Sequence, residues 1–238
     1  MSERITSSPH SMSHRAAKAA GIFTALALLV ALSGCDGSSD GDELTKVNGS
    51  IHVPAGKAPG AVTTVNGSIH IDDNAAVAGA TTVNGSIHLG AHATAVSLNS
   101  VNGSIILGAG AHGSGSVSTV NGEINLGDGA EISSSASNVN GKITLTAAHV
   151  GGGIKTVNGS MNITGASHVE GGILVEKPSG QLMRLVQDVP RIVIGPGATV
   201  QGELRFERPV KLYVSDRATI GPVTGATPIP FTGDTPPN

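Results

Sequence analysis

The sequence contains few of the residues on which most binding and catalytic sites depend. Its 238 residues include one cysteine, no tryptophan and one tyrosine, and aromatic residues make up 2% of the chain. A single cysteine excludes both an intramolecular disulfide and a cysteine-rich zinc site. Charged residues make up 13% of the chain and the formal net charge is -3, so the composition predicts no basic surface of the kind that binds nucleic acid. Because aromatic residues are scarce, the core must consist of Val, Ile, Leu and Ala.

Residues 1–34 have the pattern of an export signal. Three basic residues precede an apolar run of 11 residues (21–31), which is too short to span a bilayer and has the length of a signal-peptide core. The run leads into Leu32-Ser33-Gly34-Cys35. This motif resembles the lipobox of bacterial lipoproteins. In that family the cysteine thiol receives a diacylglyceryl group, the peptide is cut before the cysteine, and the new amine is acylated, so that the cysteine carries acyl chains such as palmitate. The resemblance implies that Cys35 is lipidated; the alternative is an ordinary secretory signal with an unrelated cysteine.

A lipidated Cys35 places the protein in the bacterial cell envelope. Acyl chains buried in a bilayer contribute about 0.8 kcal/mol per CH₂ group, so several chains together hold a protein on a membrane. The anchor is expected on the inner or the outer membrane, with the protein facing the periplasm or the cell surface. Residues 35–46, which are rich in Gly, Ser and acidic residues, predict a flexible tether.

Residues 47–224 are organised as a repeat of 18 to 19 residues. The motif Val-Asn-Gly-x-[Ile/Met] begins at seven positions: Val47, Val65, Val83, Val101, Val120, Val139 and Val157. When each of these valines is counted with the residues six and twelve positions after it, 18 of the 21 positions hold Val, Ile, Leu or Ala. Three sides of about six residues make one triangular coil, and the residue types favour strands and turns. The sequence therefore predicts an all-β fold, a single-stranded β-solenoid (β-helix) of roughly ten coils.

The orientation of the motif has two interpretations. In the first, alternation along residues 65–71 points Val65, Gly67, Ile69 and Ile71 inward. In the second, the Asn-Gly pair forms a corner, because it tolerates positive φ. Both place the asparagines in register and predict a structural ladder of side-chain amides: Asn48, Asn66, Asn84, Asn102, Asn121, Asn140 and Asn158.

Two segments depart from the repeat. Residues 178–188 break the pattern and are interpreted as an irregular coil, a loop or a short helix, after which the step of six returns at Ile194. Residues 225–238 are proline-rich and are predicted to be a disordered tail.

The repeats resemble two bacterial groups. The segment TVNGSI, at residues 64–69 and 82–87, is similar to the strand repeats of an adhesin-like family of bacterial lipoproteins with β-strand repeats, whose biochemical function is largely unassigned. The segment IGPGATVQGEL, at 194–204, resembles more weakly the bactofilins, which polymerise. The first resemblance implies a solenoid with an interaction role, and the second implies a self-assembling scaffold. Bactofilins are usually cytoplasmic, whereas a lipobox is typical of exported proteins.

Three histidines recur at the same position of successive repeats: His52, His70 and His88. On a solenoid they would stack about 5 Å apart, and such a trio is a candidate transition-metal site. The preferred interpretation is an exposed polar position, which Asn125, Thr144 and Asn162 occupy in later repeats, so neither a metal nor another cofactor is predicted.

The sequence predicts no enzyme. It contains no nucleophile elbow, phosphate loop or HExxH motif. A late cluster of charges that includes Arg205 and Arg208 predicts a solvated, salt-bridged surface, or alternatively a docking surface for an anionic envelope polymer. The expected function is thus a structural or adhesin-like role in the envelope without catalysis. The partners are the membrane and an envelope polymer or protein, and the alternatives are self-assembly or metal binding.

Overall fold

The computed structural model describes residues 43–178 and 188–237. In these two ranges the regular secondary structure consists of β-strands, and all of the paired strands are parallel. Paired residues in neighbouring coils are 18 apart in the early repeats, as for Ile51 and Ile69, and 19 apart for Ile105 and Ile124. The predicted β-solenoid is therefore confirmed. The predicted signal, Cys35 and residues 36–42 of the predicted tether lie outside the described residues. So do residues 179–187 of the segment interpreted as an irregular coil, a loop or a short helix. The tether prediction is wrong for residues 44–46, because they belong to the paired strand Leu44–Asn48.

One side of each coil belongs to a ten-stranded parallel sheet. Numbered in chain order, its strands are β2 (Ile51–Val53), β4 (Ile69–Ile71), β6 (Ile87–Leu89), β8 (Ile105–Leu107), β11 (Ile124–Leu126), β14 (Lys142–Thr146), β17 (Ser160–Thr164), β20 (Arg191–Ile194), β23 (Lys211–Ser215) and β26 (Pro228–Phe231).

The other two sides belong to a 16-stranded sheet. The side that carries the Val-Asn motif contains β1 (Leu44–Asn48), β3 (Ala61–Asn66), β5 (Ala76–Asn84), β7 (Thr94–Asn102), β10 (Val117–Asn121), β13 (Ala136–Asn140), β16 (Ile154–Thr156), β19 (Ile173–Val175), β22 (Leu204–Phe206) and β25 (Val223–Thr224). The shorter side contains β9 (His112–Gly113), β12 (Glu131–Ile132), β15 (His149–Val150), β18 (His168–Val169), β21 (Thr199–Val200) and β24 (Thr219–Ile220). The long strands β5 and β7 extend over both of these sides.

Aliphatic side chains fill the interior. In each early strand of the ten-stranded sheet the first and third residues are buried and the middle residue faces outward, as in Ile69-His70-Ile71. Because strands pair in register, these buried residues stack on their counterparts in the neighbouring coils. The largest fully buried side chains form one continuous core: Ile69, Ile71, Ile87, Leu89, Leu98, Ile105, Leu107, Ile124, Leu126, Ile132, Ile143 and Leu145.

The structure corrects the expected orientation of the Val-Asn-Gly motif. Val47 is 38% exposed and Val65 is half-buried, whereas Thr64 is fully buried. The Thr64 hydroxyl donates a hydrogen bond to the carbonyl oxygen of Gly49 at 3.1 Å, so its burial leaves no unpaired polar group. Since residues alternate between faces along a strand, the inward threonine turns the following valine outward.

The second interpretation, a corner at Asn-Gly, is confirmed. Strand β3 ends at Asn66 and β4 begins at Ile69, with a bend at Gly67. A positive φ, the expected reason for glycine, is found at Gly49 and Gly141 but not at Gly67. A Cβ atom there would overlap the carbonyl oxygen of Gly49 in the coil below. Close approach between stacked corners therefore selects glycine.

The prediction that residues 225–238 are disordered is wrong for the segment that forms β26. Strand β26 pairs in parallel with β23, and Phe231 is buried against Val193 and Tyr213. Beyond the strand, Asp234 accepts a hydrogen bond from Arg217 at 2.7 Å. The open edge of β23 supplies backbone partners and Phe231 supplies apolar burial, and both outweigh the high proline content.

Candidate functional site

The three predicted histidines lie in register on the outer face of the ten-stranded sheet. His52 pairs with His70, and His70 pairs with His88, as the middle residues of β2, β4 and β6. The ring centroids of His52 and His70 are 5.6 Å apart with a tilt of 52°. Those of His70 and His88 are 4.9 Å apart and nearly parallel, at 4°. The predicted in-register row of histidines is therefore confirmed, although only the rings of His70 and His88 are stacked in parallel.

A carboxylate contacts two histidines of this row. The comparison of repeats in the sequence did not reveal it. Asp72, which follows β4, lies 2.8 Å from His52 Nε2 and 3.3 Å from His70 Nε2. The hydrogen bond from His52, followed by the charges of His52 and His70, lowers the pKa of Asp72 despite an opposing effect of desolvation. Stability from this carboxylate is thus present above its ordinary pKa and is lost as the pH falls through the lowered value. Both histidines are more than half exposed, so the contribution is small.

His88 is in a different environment from the other two histidines. Burial, and then the charge of His70, lowers the pKa of His88, which favours the neutral ring. Because the rings of His70 and His88 are stacked in parallel planes, their nitrogen lone pairs run side by side and do not converge on one ion. The row as it stands is a stacked polar surface with a carboxylate at one end.

A second row, which the sequence reasoning missed, lies on the outer face of the shorter side. Its members pair in register across four coils: His112, Glu131, His149 and His168. Glu131 lies between two histidines, with its oxygens 3.4 Å from His112 Nδ1 and 3.7 Å from His149 Nδ1. The signal that could have revealed the row is a polar residue directly before the inward-facing residue of each short strand, which is Gly113, Ile132, Val150 or Val169.

The asparagine ladder is confirmed along seven coils. Each Nδ2 donates to the Oδ1 of the asparagine in the preceding coil, at 2.8 to 3.0 Å. At its last member, Asn158, the Oδ1 accepts a hydrogen bond from Arg208 Nη1. Arg208 also donates to the carbonyl oxygens of Val157 and Asp188, at 3.0 and 2.9 Å. Burial lowers the pKa of Arg208.

In the part of the chain that the structure describes, several of the late charges make local pairs. Arg205 pairs with Glu207 at 2.7 Å and Lys155 with Glu176 at 3.0 Å. The guanidinium of Arg191 lies 4.8 Å from the centre of the Tyr213 ring. These contacts, together with the structural role of Arg208, agree with the salt-bridged interpretation of this cluster. Charge reversal at Arg208 would disturb the end of the ladder as well as any docking surface.

Comparisons with family models, with curated proteins and with solved structures give no match. The resemblances to the adhesin-like repeat family and to bactofilins thus remain predictions. Across residues 43–178 and 188–237, no helix is long and apolar enough to cross a membrane.

Proposed function

We propose that this chain is a lipid-anchored protein of the bacterial cell envelope whose solenoid has a structural or adhesin-like interaction role without catalysis. The observation that supports this proposal is the regular outer surface. Polar side chains repeat in register from coil to coil, both in the asparagine ladder and in the two histidine rows. A surface of this kind suits contact with an extended partner, such as an envelope polymer or protein.

The distribution of polar groups supports a role for the outer faces. Aliphatic residues such as Ile105 and Leu107 occupy the interior. Buried hydroxyl groups, for example those of Thr64 and Thr82, are bonded to backbone carbonyls of the neighbouring coil. These hydroxyls hold coils together, so the polar groups available to a partner are those on the outside.

The lipid anchor is tested with Cys35→Ser expressed in a bacterium that processes lipoproteins. The wild-type protein should take up an alkyne-labelled palmitate analogue and sediment with membranes. The variant should lose the label and leave the membrane fraction, because acyl chains provide the membrane affinity. Ser38→Ala, in the predicted tether, is the matched control and should behave as wild type. Membrane sedimentation of an unlabelled Cys35→Ser variant would contradict the proposal.

The last coil carries a feature that distinguishes the interaction role from the self-assembling scaffold. Asp216 N–H donates to the Phe231 carbonyl at 3.1 Å, so Phe231 directs its backbone groups toward β23. Along a strand, the backbone N–H and C=O positions of successive residues point to opposite edges of the strand. The backbone positions of Pro228 and Pro230 therefore point away from β23. Proline has no N–H group, and both outward amide donors of β26 are thus missing. Prolines on an edge strand disfavour pairing with a further strand.

Removing these prolines should make the last coil competent for stacking. We expect the purified wild-type protein to be monodisperse in sedimentation velocity experiments. The double variant Pro228→Val/Pro230→Val should form larger particles or filaments, visible by electron microscopy. Pro236→Val, outside the strand, is the matched control. Filaments of the wild-type protein would favour the scaffold instead, and a monodisperse double variant would show that the prolines do not limit association.

A further inference from the structure

We propose that His149, His168 and Glu170 bind a divalent transition-metal ion such as Zn²⁺ or Ni²⁺. The three side chains lie on the outer face of the shorter side, on two adjacent coils. Each offers one ligand atom, and these atoms all lie within 4.8 Å of one another. His149 Nε2 is already 3.1 Å from Glu170 Oε1. Two imidazoles and a carboxylate are a ligand set that suits Zn²⁺ and neighbouring first-row ions.

The distances fit a tetrahedral ion with little rearrangement. Zinc bonds of about 2.0–2.2 Å to nitrogen and oxygen place two tetrahedral ligands about 3.4 Å apart. The contact between His149 and Glu170 is close to this separation. The remaining separations, which are at most 4.8 Å, must shorten by up to about 1.4 Å to reach this value. Side-chain rotation can provide this shift, because His149 and His168 are half-buried and Glu170 is exposed. Solvent would then occupy the fourth position.

The backbone fixes the three residues rigidly. His149 pairs with His168 in register between β15 and β18. Their amides donate to the preceding coil, from His149 to Ala130 at 2.8 Å and from His168 to Ala148 at 2.9 Å. The amide of Glu170 donates to Val150 at 3.0 Å. Ligands on hydrogen-bonded strands lose little backbone freedom when an ion binds.

A fourth residue orients one of the ligands. Glu131 Oε1 lies 3.7 Å from His149 Nδ1, on the side of the ring opposite Glu170. When an ion takes the place of a proton on Nε2, a carboxylate near Nδ1 stabilises the proton on that second nitrogen. The Glu131 charge also favours a cation in this row.

The comparison of the two histidine rows argues for a site here rather than at His70 and His88. The rings of His149 and His168 are tilted by 41°, with centroids 5.6 Å apart, whereas those of His70 and His88 are parallel. Tilted rings can direct their nitrogens toward a common point. The rings of His52 and His70 are also tilted, but among the described residues only His149, His168 and Glu170 form a group of three whose ligand atoms all lie within 4.8 Å of one another. An ion pair between His149 and Glu170 alone would explain their contact but would leave His168 without a role.

Isothermal titration of the purified, tag-free protein with ZnCl₂, and separately with NiCl₂, tests this site. We expect one ion per chain at this site, with at least tenfold weaker binding in His168→Gln and in the near-isosteric Glu170→Gln. His88→Gln, from the other row, is the matched control and should bind as wild type. Circular dichroism without metal should be the same for all variants, because the substituted side chains are on the surface.

Three results would overturn the metal site. They are no stoichiometric binding by the wild-type protein, unchanged binding in both His168→Gln and Glu170→Gln, or equal weakening in His88→Gln. None of these results depends on the lipid anchor, so the metal site and the proposed function fail independently.

Discussion

Gly85→Ala should lower the free energy of unfolding by about 3 kcal/mol. The Cβ atom of alanine at this corner would overlap the carbonyl group of Gly67 and lie 2.9 Å from the Ser68 nitrogen. Both neighbours are backbone, so relief requires that the two coils move apart. Their separation is fixed by hydrogen bonds, including that from Gly67 N–H to the Asn84 carbonyl at 3.1 Å. Urea unfolding followed by far-ultraviolet circular dichroism measures the loss.

Gly113→Ala is the control for this experiment. Gly113 is buried, its φ is not positive, and an added Cβ would have its nearest neighbour at 3.7 Å. Alanine should therefore fit, and the reduced entropy of the unfolded chain should stabilise the protein by about 0.4–1 kcal/mol. Equal unfolding midpoints for Gly85→Ala and Gly113→Ala would show that contact between corners does not select glycine.

Ile105→Ala should destabilise the solenoid by about 2–5 kcal/mol. Ile105 is 0% exposed and lies in the middle of the stack, between Ile87 and Ile124. Truncation removes apolar contacts and leaves a cavity, and the rigid register of the strands limits how far neighbours can relax into it. The measurement is the shift in the urea midpoint together with the slope of the transition.

Ile106→Ala is the same substitution at the next residue, on the opposite face of the strand. Ile106 is half-buried, in the outer row that continues from His88. Its truncation leaves no enclosed cavity, so the loss should be well below that of Ile105→Ala. A larger loss at Ile106 than at Ile105 would mean that the inward face has been assigned incorrectly.

The period and register of this fold could be predicted from the sequence because each coil repeats the same requirements. Ile69 and Ile87 must be apolar and Gly67 must be small wherever coils stack. Whether Val65 faces inward or outward could not be predicted from hydrophobicity alone, since the residue that faces inward is the polar Thr64. Its burial depends on a hydrogen bond to Gly49 that involves the previous coil. Such a partner becomes visible once the stacking geometry is known.

The sites were harder to predict than the fold. The second histidine row was missed because its four members include Glu131 and follow steps of 19, 18 and 19 residues. Asp72 contacts His52 of the preceding coil, although the two residues are not at equivalent positions of their repeats. The contact of Asp72 joins non-equivalent positions of two repeats, and a comparison of equivalent positions does not reveal it. The second row does occupy equivalent positions, but no single residue type repeats along it.

The asparagine ladder also has an electrical consequence. All six hydrogen bonds between the side-chain amides run in one direction, because each asparagine donates to the asparagine of the preceding coil. Aligned amides polarise one another, and their dipoles add along the axis. The negative pole is the Asn158 oxygen, where the cationic Arg208 donates its bond, and the positive pole is at Asn48. A charged ligand approaching this edge would therefore meet a different potential at each end of the ladder.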